Sequence, residues 1–286
     1  MFGDCHMHMI LDGVYYRDAI DRHKEKVVES DVRAILQQYA DAGVTFLRDG
    51  GDAWRVADTA KELSAEYGID YLSPSFPIHK KGRYGGFIGL GFSNMKEYRI
   101  LVDRAAEYGA DFIKIMISGL MDFDVFGRLT CEPLSAEEIA EMIHIAHEEG
   151  FAVMAHANGA RTVEAAVKAG IDSIEHGAYM DDEAVSALAE SDAAWVPTIS
   201  TVGNLIGDGR YSAEALRSIY DFQRERIAQF CSLGGRLGLG SDAGAYLVPH
   251  VKGIETEYEH LKDIVPDAEK TFTEAEEYIR KRFRRG

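Results

Sequence analysis

The sequence predicts an α/β fold, specifically a (β/α)8 TIM-type barrel, from three observations. Short apolar runs alternate with amphipathic segments, the signature of βα units and a parallel sheet. Four of the eight runs contain a histidine or lysine and a fifth is followed directly by an aspartate, and the site of such a barrel is built at the C-terminal ends of its strands. The length of 286 residues suits one barrel, so 1–286 is read as a single domain.

The runs lie near residues 2–9, 45–48, 71–76, 112–117, 152–156, 173–176, 195–199 and 237–241. Helical patterns fall between them. "SDVRAILQQYADAG" puts Val32, Ile35, Leu36 and Tyr39 on one face and stops at Gly43. "SAEEIAEMIHIAHEEG" opens with Ser135 and Glu138 as a capping box and ends at Gly150. "GARTVEAAVKAG", "MDDEAVSALAESD" and "SAEALRSIYDFQRERIAQFCSLGG" supply three more. Helical material after each strand favours a closed barrel, since a parallel sheet needs both faces covered. The rival, an open doubly wound sheet, usually carries a Gly-rich phosphate turn after its first strand, and here that turn reads "HMHMILDG". Two long connections, 79–92 and 118–133, follow strands and are expected to overhang the site, because long loops in a compact domain are usually functional.

Composition narrows the class. A hydrophobic fraction of 46% supports a sizeable core. A net charge of −17 disfavours nucleic acid and anionic membrane as partners. The basic end "YIRKRFRRG" is read as a terminal helix whose cations sit at the negative end of its dipole. Three cysteines without paired spacing suit a reducing compartment. With neither a membrane-length apolar run nor signal-peptide regions, cytoplasm is expected. A small-molecule substrate is the expected partner, and composition leaves a homo-oligomer open.

The chemistry rests on six residues. His6 and His8 are two apart, so on a strand both rings face the barrel interior. Lys114 lies in the buried-looking run "FIKIMI", where an ammonium must be paired, neutralised or chemically used. It is read either as a salt-bridge partner or as a neutral amine that has added carbon dioxide; the carbamate would be an anionic ligand bridging two cations. His156 and His176 end consecutive strands before glycine-bearing turns. Asp242, after "LGLGS", is an N-cap, a ligand or a general base, and the converging histidines favour ligand plus base. This donor set suits zinc first, with iron, manganese or cobalt also admitted. His144 and His147 are expected on an outer helix, since their order fits no zincin motif. The stretch "GGFIGLG" is no phosphate loop.

Together "DCHMHM", "GVTFLRDGGD", "GADFIKIMISG", "FAVMAHANG", "AGIDSIEHGAYMDDE" and "LGSDAG" resemble the amidohydrolase superfamily of metal-dependent hydrolases over nearly the whole chain. They are especially similar to the branch of imidazolonepropionase-like proteins and Xaa-Pro dipeptidases, where a Ser/Thr-Gly pair, here Ser118-Gly119, follows the lysine motif. The resemblance implies that His6, His8 and Asp242 hold one divalent ion and His156 and His176 a second, bridged by carboxylated Lys114 and a hydroxide. Two departures stand out. The small β-sandwich usual in this branch is expected to be absent. His156-Ala157-Asn158-Gly159 stands where the branch often has HAHG, which is expected to alter specificity at Asn158.

The expected activity is hydrolysis of a C–N bond in a small, carboxylate-bearing amide or dipeptide, with Asp242 as general base and then acid. Arg83 in the basic loop is expected to meet the carboxylate in a fork geometry. Tyr84, Asn158, Tyr179 and His250 are further expected substrate contacts, with Phe123 and Phe126 as apolar walls. The alternatives are a lactone, ester or phosphoester hydrolase and a mononuclear deaminase. Lys114 and the lack of an acid directly after His156 speak against the deaminase. A non-catalytic binding barrel is the remaining class.

Overall fold

The computed structural model describes residues 2–285. β1 (Asp4–Met7) leads to α1 (Tyr16–His23) and α2 (Glu29–Asp41), then β2 (Phe46–Asp49) and α3 (Val56–Ser64). β3 (Asp70–Leu72), β4 (Pro77–Lys80) and β5 (Leu90–Phe92) precede α4 (Met95–Glu107). β6 (Ile113–Met116), α5 (Ala136–Glu148), β7 (Val153–Ala157), α6 (Ala160–Lys168), β8 (Ser173–His176) and α7 (Asp182–Glu190) follow in strict alternation. β9 (Ala194–Val196), α8 (Ser200–Gly203), α9 (Ala213–Ser232), β10 (Arg236–Leu237), α10 (Lys252–Leu261) and α11 (Ala268–Arg282) complete the chain.

The strands run parallel in two arcs, β1-β2-β3 and β10-β9-β8-β7-β6-β4-β5. Backbone bonds join the last strand region to the first. Cys5 N–H donates to Leu239 O at 2.9 Å, Asp242 N–H to His6 O at 2.7 Å and His8 N–H to Ala243 O at 2.8 Å. The fold is therefore the predicted α/β barrel, with one seam the sequence did not reveal.

That seam lies in the third run. Residues 71–76 were expected to form one strand, but the chain bends between β3 and β4. Pro74 offers no ladder donor, Ser75 takes a positive φ of 64°, and Ser73 is drawn aside by Asp111. Its N–H donates to Asp111 Oδ2 at 2.9 Å, and its carbonyl accepts from Asp111 N–H at 2.9 Å. Before the bend the chain pairs with β2; after it, with β6, placing Pro77 beside Lys114. The 79–92 connection is correspondingly not all loop. Its ends lie in β4 and β5, which pair Ile78 with Leu90 and Lys80 with Phe92.

The helices form where patterning and capping agree. Ser135 Oγ accepts from Glu138 N–H at 3.2 Å, while a Glu138 carboxylate oxygen accepts from Ser135 N–H at 3.4 Å. Gly150 just past this helix has φ 78°, the left-handed conformation a C-terminal glycine takes without strain. The apolar faces of α4 to α7 and α9 bury Tyr98, Met142, Val163, Leu188 and Phe230 against the sheet. Among the described residues no helix is long and apolar enough to cross a membrane.

The chain end closes the floor of the barrel. Ile279 and Phe283 pack against Cys5, Phe46, Phe112, Met154 and Val196. Arg280, Lys281 and Arg282 sit in the last turn of α11, at the negative end of its dipole as read from sequence, and cations of this tail also reach across the floor. Arg282 Nε donates to Asp172 at 2.6 Å, and Arg284 Nη2 bonds both oxygens of Asp70 at 2.5 and 2.6 Å. Phe283 is fully buried, edge-on to Phe112 with ring centres 5.4 Å apart. Phe283→Ala is expected to cost about 3–5 kcal/mol in a denaturant titration, the range for emptying an aromatic core site. A loss below about 1 kcal/mol would mean that this end does not seal the barrel.

Candidate metal centre

The six predicted residues converge at one mouth of the barrel, lining a cavity of about 390 Å³. Asp242 Oδ1 lies 3.4 Å from His8 Nε2 and 3.6 Å from His6 Nε2, and the three groups offer donor atoms all within 4.8 Å of one another. His176 bridges this trio to His156: its ring centre is 5.2 Å from that of His6 and 4.6 Å from that of His156. Lys114, on β6, lines the same cavity.

Three of the four imidazoles have one nitrogen committed, which leaves the other for a cation; His8 Nδ1 has no hydrogen-bond partner. His6 Nδ1 lies 2.7 Å from Glu175 Oε2, and His176 Nδ1 lies 2.7 Å from Thr198 Oγ1. For His156 it is Nε2 that is engaged, 3.1 Å from Gly119 O. Backbone strain helps to aim the donors. His176, Thr198 and Asp242 have φ of 68°, 48° and 60°, left-handed values that cost energy away from glycine.

Burial sets the charge states. It holds His8 and His156 down to about 3, and His6 and His176 well below the ordinary histidine value, with the nearby Lys114 charge acting in the same direction. All four rings are therefore neutral and ligand-competent at pH 7. Burial likewise lowers Lys114, opposed by Glu175 and Asp242. It raises Asp242, opposed by Lys114. Lys114 is 1% exposed, and its Nζ has no hydrogen-bond partner. A buried amine left in that state is costly. Four neutral imidazoles and a carboxylate beside this unpartnered amine make a donor set that suits divalent cations.

Beneath the donors lies a charged layer that the sequence reading missed. Arg48 donates to both oxygens of Glu175 at 2.9 and 3.1 Å, to Cys5 O at 2.6 Å and to Ser173 Oγ at 3.0 Å. Both partners have 0% side-chain exposure. The available signal was an arginine in "TFLRDG" and a glutamate in "DSIEHG", opposite charges inside two apolar runs. Asp4 similarly anchors the last strand, accepting from Ser241 N–H at 2.9 Å and Ser241 Oγ–H at 2.5 Å.

The expected substrate contacts divide. Tyr84, Asn158 and Phe123 line the cavity, with the Tyr84 ring centre 4.7 Å from that of His156. The Asn158 amide is already committed, donating to Gly119 O at 3.1 Å and accepting from Ala178 N–H at 2.9 Å. Its contribution is to fix the His156 turn. Arg83, Tyr179 and His250 are outside the lining. Arg83 faces solvent. Tyr179 packs on exposed Phe126, with ring centres 5.3 Å apart. His250 is used structurally, Nε2 lying 2.8 Å from Leu11 O and Nδ1 3.1 Å from Tyr39 OH. The wall instead recruits Tyr15, Tyr16, Phe87, Arg210, Tyr211 and Tyr246, which had no motif to mark them.

The amidohydrolase family profile matches residues 2–252. The chain belongs to that family. Ochratoxinase of Aspergillus niger is 26% identical to this amidohydrolase over 274 residues, covering 84% of this chain and 56% of that protein. The chain thus spans about half the length of the curated relatives it matches. Among solved structures, a Xaa-Pro dipeptidase with bound methionine superposes with a TM-score of 0.76 at 20% identity, covering 98% of this chain and 75% of that one. A prolidase complexed with N-methylphosphonate-L-proline gives 0.74 at 23% identity, with 98% and 74% covered. These structural likenesses speak for a shared fold.

Two outcomes follow from the geometry. Glu175→Gln strands Arg48 in the interior, so it should destabilise the amidohydrolase by about 3–5 kcal/mol, the range for breaking a buried ion pair. Denaturant titration beside wild type reads this directly, and a change under 1 kcal/mol would show the pair to be dispensable. The second concerns His156, held near 3 when folded against roughly 6.5 unfolded. Its folded value is depressed, so acid favours the unfolded chain, and the penalty grows as pH falls from about 6.5 towards 3. In chelator, the stability advantage of wild type over His156→Gln should shrink between pH 7.5 and pH 5. An advantage that widens on acidification would contradict a neutral buried ring.

Proposed function

We propose that this amidohydrolase cleaves a C–N bond, amide or peptide-like, in a small carboxylate-bearing substrate, using two divalent ions, with zinc the first candidate. The observation that carries the reading is Lys114, a buried amine without a partner placed among four neutral imidazoles and Asp242. A neutral amine adds carbon dioxide and releases a proton, leaving an anionic carbamate on Nζ that satisfies the stranded group. His6, His8 and Asp242 would hold one ion and His156 and His176 the other, with the carbamate shared. Bound ions there would lower the pKa of a water and polarise a carbonyl oxygen.

The protein groups supply orientation and proton transfer. Glu175, Thr198 and Gly119 fix the three ring orientations. Asp242 stands at the cavity edge with a carboxylate raised by burial, suited to accept a proton and return it to the leaving nitrogen. Tyr84 keeps its phenol proton, because burial raises it well above the ordinary tyrosine value, and its ring covers His156. The names of the ochratoxinase, dipeptidase and prolidase relatives support an amide substrate.

Elemental analysis of protein prepared with bicarbonate and without chelator tests this reading. Two ions per chain are expected in wild type and at most one in Lys114→Ala. Asp242→Asn should retain much of the metal and lose about 10²–10⁴-fold in turnover on a panel of dipeptides and N-acyl amino acids. Two ions and full activity in Lys114→Ala would overturn the carbamate bridge. A single ion in wild type would return the mononuclear deaminase.

A further inference from the structure

The cavity wall holds a cation that the metal centre does not use. Arg210 lines the cavity on the segment between α8 and α9. Its guanidinium lies 4.6 Å from the ring centre of Tyr246 and 5.4 Å from that of Tyr211. Tyr211 rests in turn on Phe123, with ring centres 5.1 Å apart. Stacking on tyrosine faces steadies a guanidinium without occupying its N–H donors.

No carboxylate or carbonyl of the described residues takes up those donors. The nearest acid in sequence, Asp208, instead accepts from Tyr246 OH at 3.3 Å. This is an acidic chain, with 48 Asp and Glu against 31 Lys and Arg. Most arginines elsewhere on it find an acid, as Arg33, Arg99, Arg226 and Arg284 do. The segment is tethered as well: Ser212 N–H donates to Asp124 Oδ1 at 2.8 Å, tying it to the 118–133 connection. Arg210 is thus a held cation with free planar donors at the edge of an aromatic-walled cavity.

We infer that Arg210 is the specificity residue that recognises a substrate carboxylate, pairing with it in a two-pronged fork, while the aromatic wall takes an apolar or aromatic group on the other side of the scissile bond. This deepens the proposed hydrolysis and rests on it for the word substrate. It replaces Arg83 in that role: both side chains are exposed, but only Arg210 lines the cavity. Lys114, the other cation in the lining, sits at the floor among the metal-ligand candidates, leaving Arg210 to act at the wall.

The test separates recognition from catalysis. Chelator-treated protein is titrated calorimetrically with N-benzoylglycine and with its carboxamide, so neither turnover nor a carboxylate–metal bond contributes. Wild type should bind the acid at least 10-fold more tightly than the amide. Arg210→Met should bring that ratio to within about 3-fold while leaving carboxamide affinity unchanged, and Arg210→Lys should fall between, keeping charge but losing the fork. An acid preference that survives in Arg210→Met overturns the assignment, as does a wild type that binds both probes equally or neither. Failure of the hydrolase reading would show in the metal count and leave these ratios untouched.

Discussion

The ion pair between Arg48 and Glu175 is the constraint on which the rest of the molecule turns. Two full charges lie inside the barrel with no exposure, a placement that is expensive unless every donor and acceptor is met. Here they are met: the guanidinium reaches Cys5 O, Ser173 Oγ and both Glu175 oxygens. The pair also transmits position. Phe283 at the floor lies under the guanidinium, 4.5 Å from ring centre to Cζ, and Glu175 above it grips His6 Nδ1. A continuous column therefore runs from the chain end through the barrel to His6, whose Nε2 lies 3.6 Å from Asp242 Oδ1.

Around that column the upper rim is built under strain and at close quarters. Left-handed backbone at His176, Thr198 and Asp242 persists only where surrounding contacts hold it. Asp4 holds the Ser241 turn from below, and Glu257 accepts from Ile199 and Ser200 N–H at 2.9 and 2.7 Å behind Thr198. Gly50 shows how tight the rim is: a Cβ there would stand 2.2 Å from His8 Cε1. Rigid support of this kind holds the candidate ligand atoms in a preset arrangement.

The floor and the wall of the cavity follow different logic. Floor residues come from strands and the turns just after them, where backbone hydrogen bonds fix their positions. Wall residues come from the segments that follow β1, β4, β6, β9 and β10, and seven of them are aromatic. Connections tolerate change while a barrel scaffold stays put. The wall is accordingly where this chain differs from the reading of Arg83, Tyr179 and His250 as substrate contacts.

The sequence by itself determined the alternation of strands and helices and the capping box at Ser135, and it singled out six candidate ligands, because strand periodicity and residue chemistry are local properties. It also determined that Lys114 would be buried, since the apolar run around it leaves no other course. Only the tertiary structure decided the break at Ser73–Ser75, where Asp111 diverts the backbone. It alone decided the pairing of Arg48 with Glu175 and the use of the basic tail as a floor clamp. The choice of Arg210 over Arg83 at the cavity belongs there too. Each of these joins residues far apart in the chain, and no spacing or periodicity along the sequence encodes such a meeting; it arises when the barrel closes and brings distant strand ends to one axis.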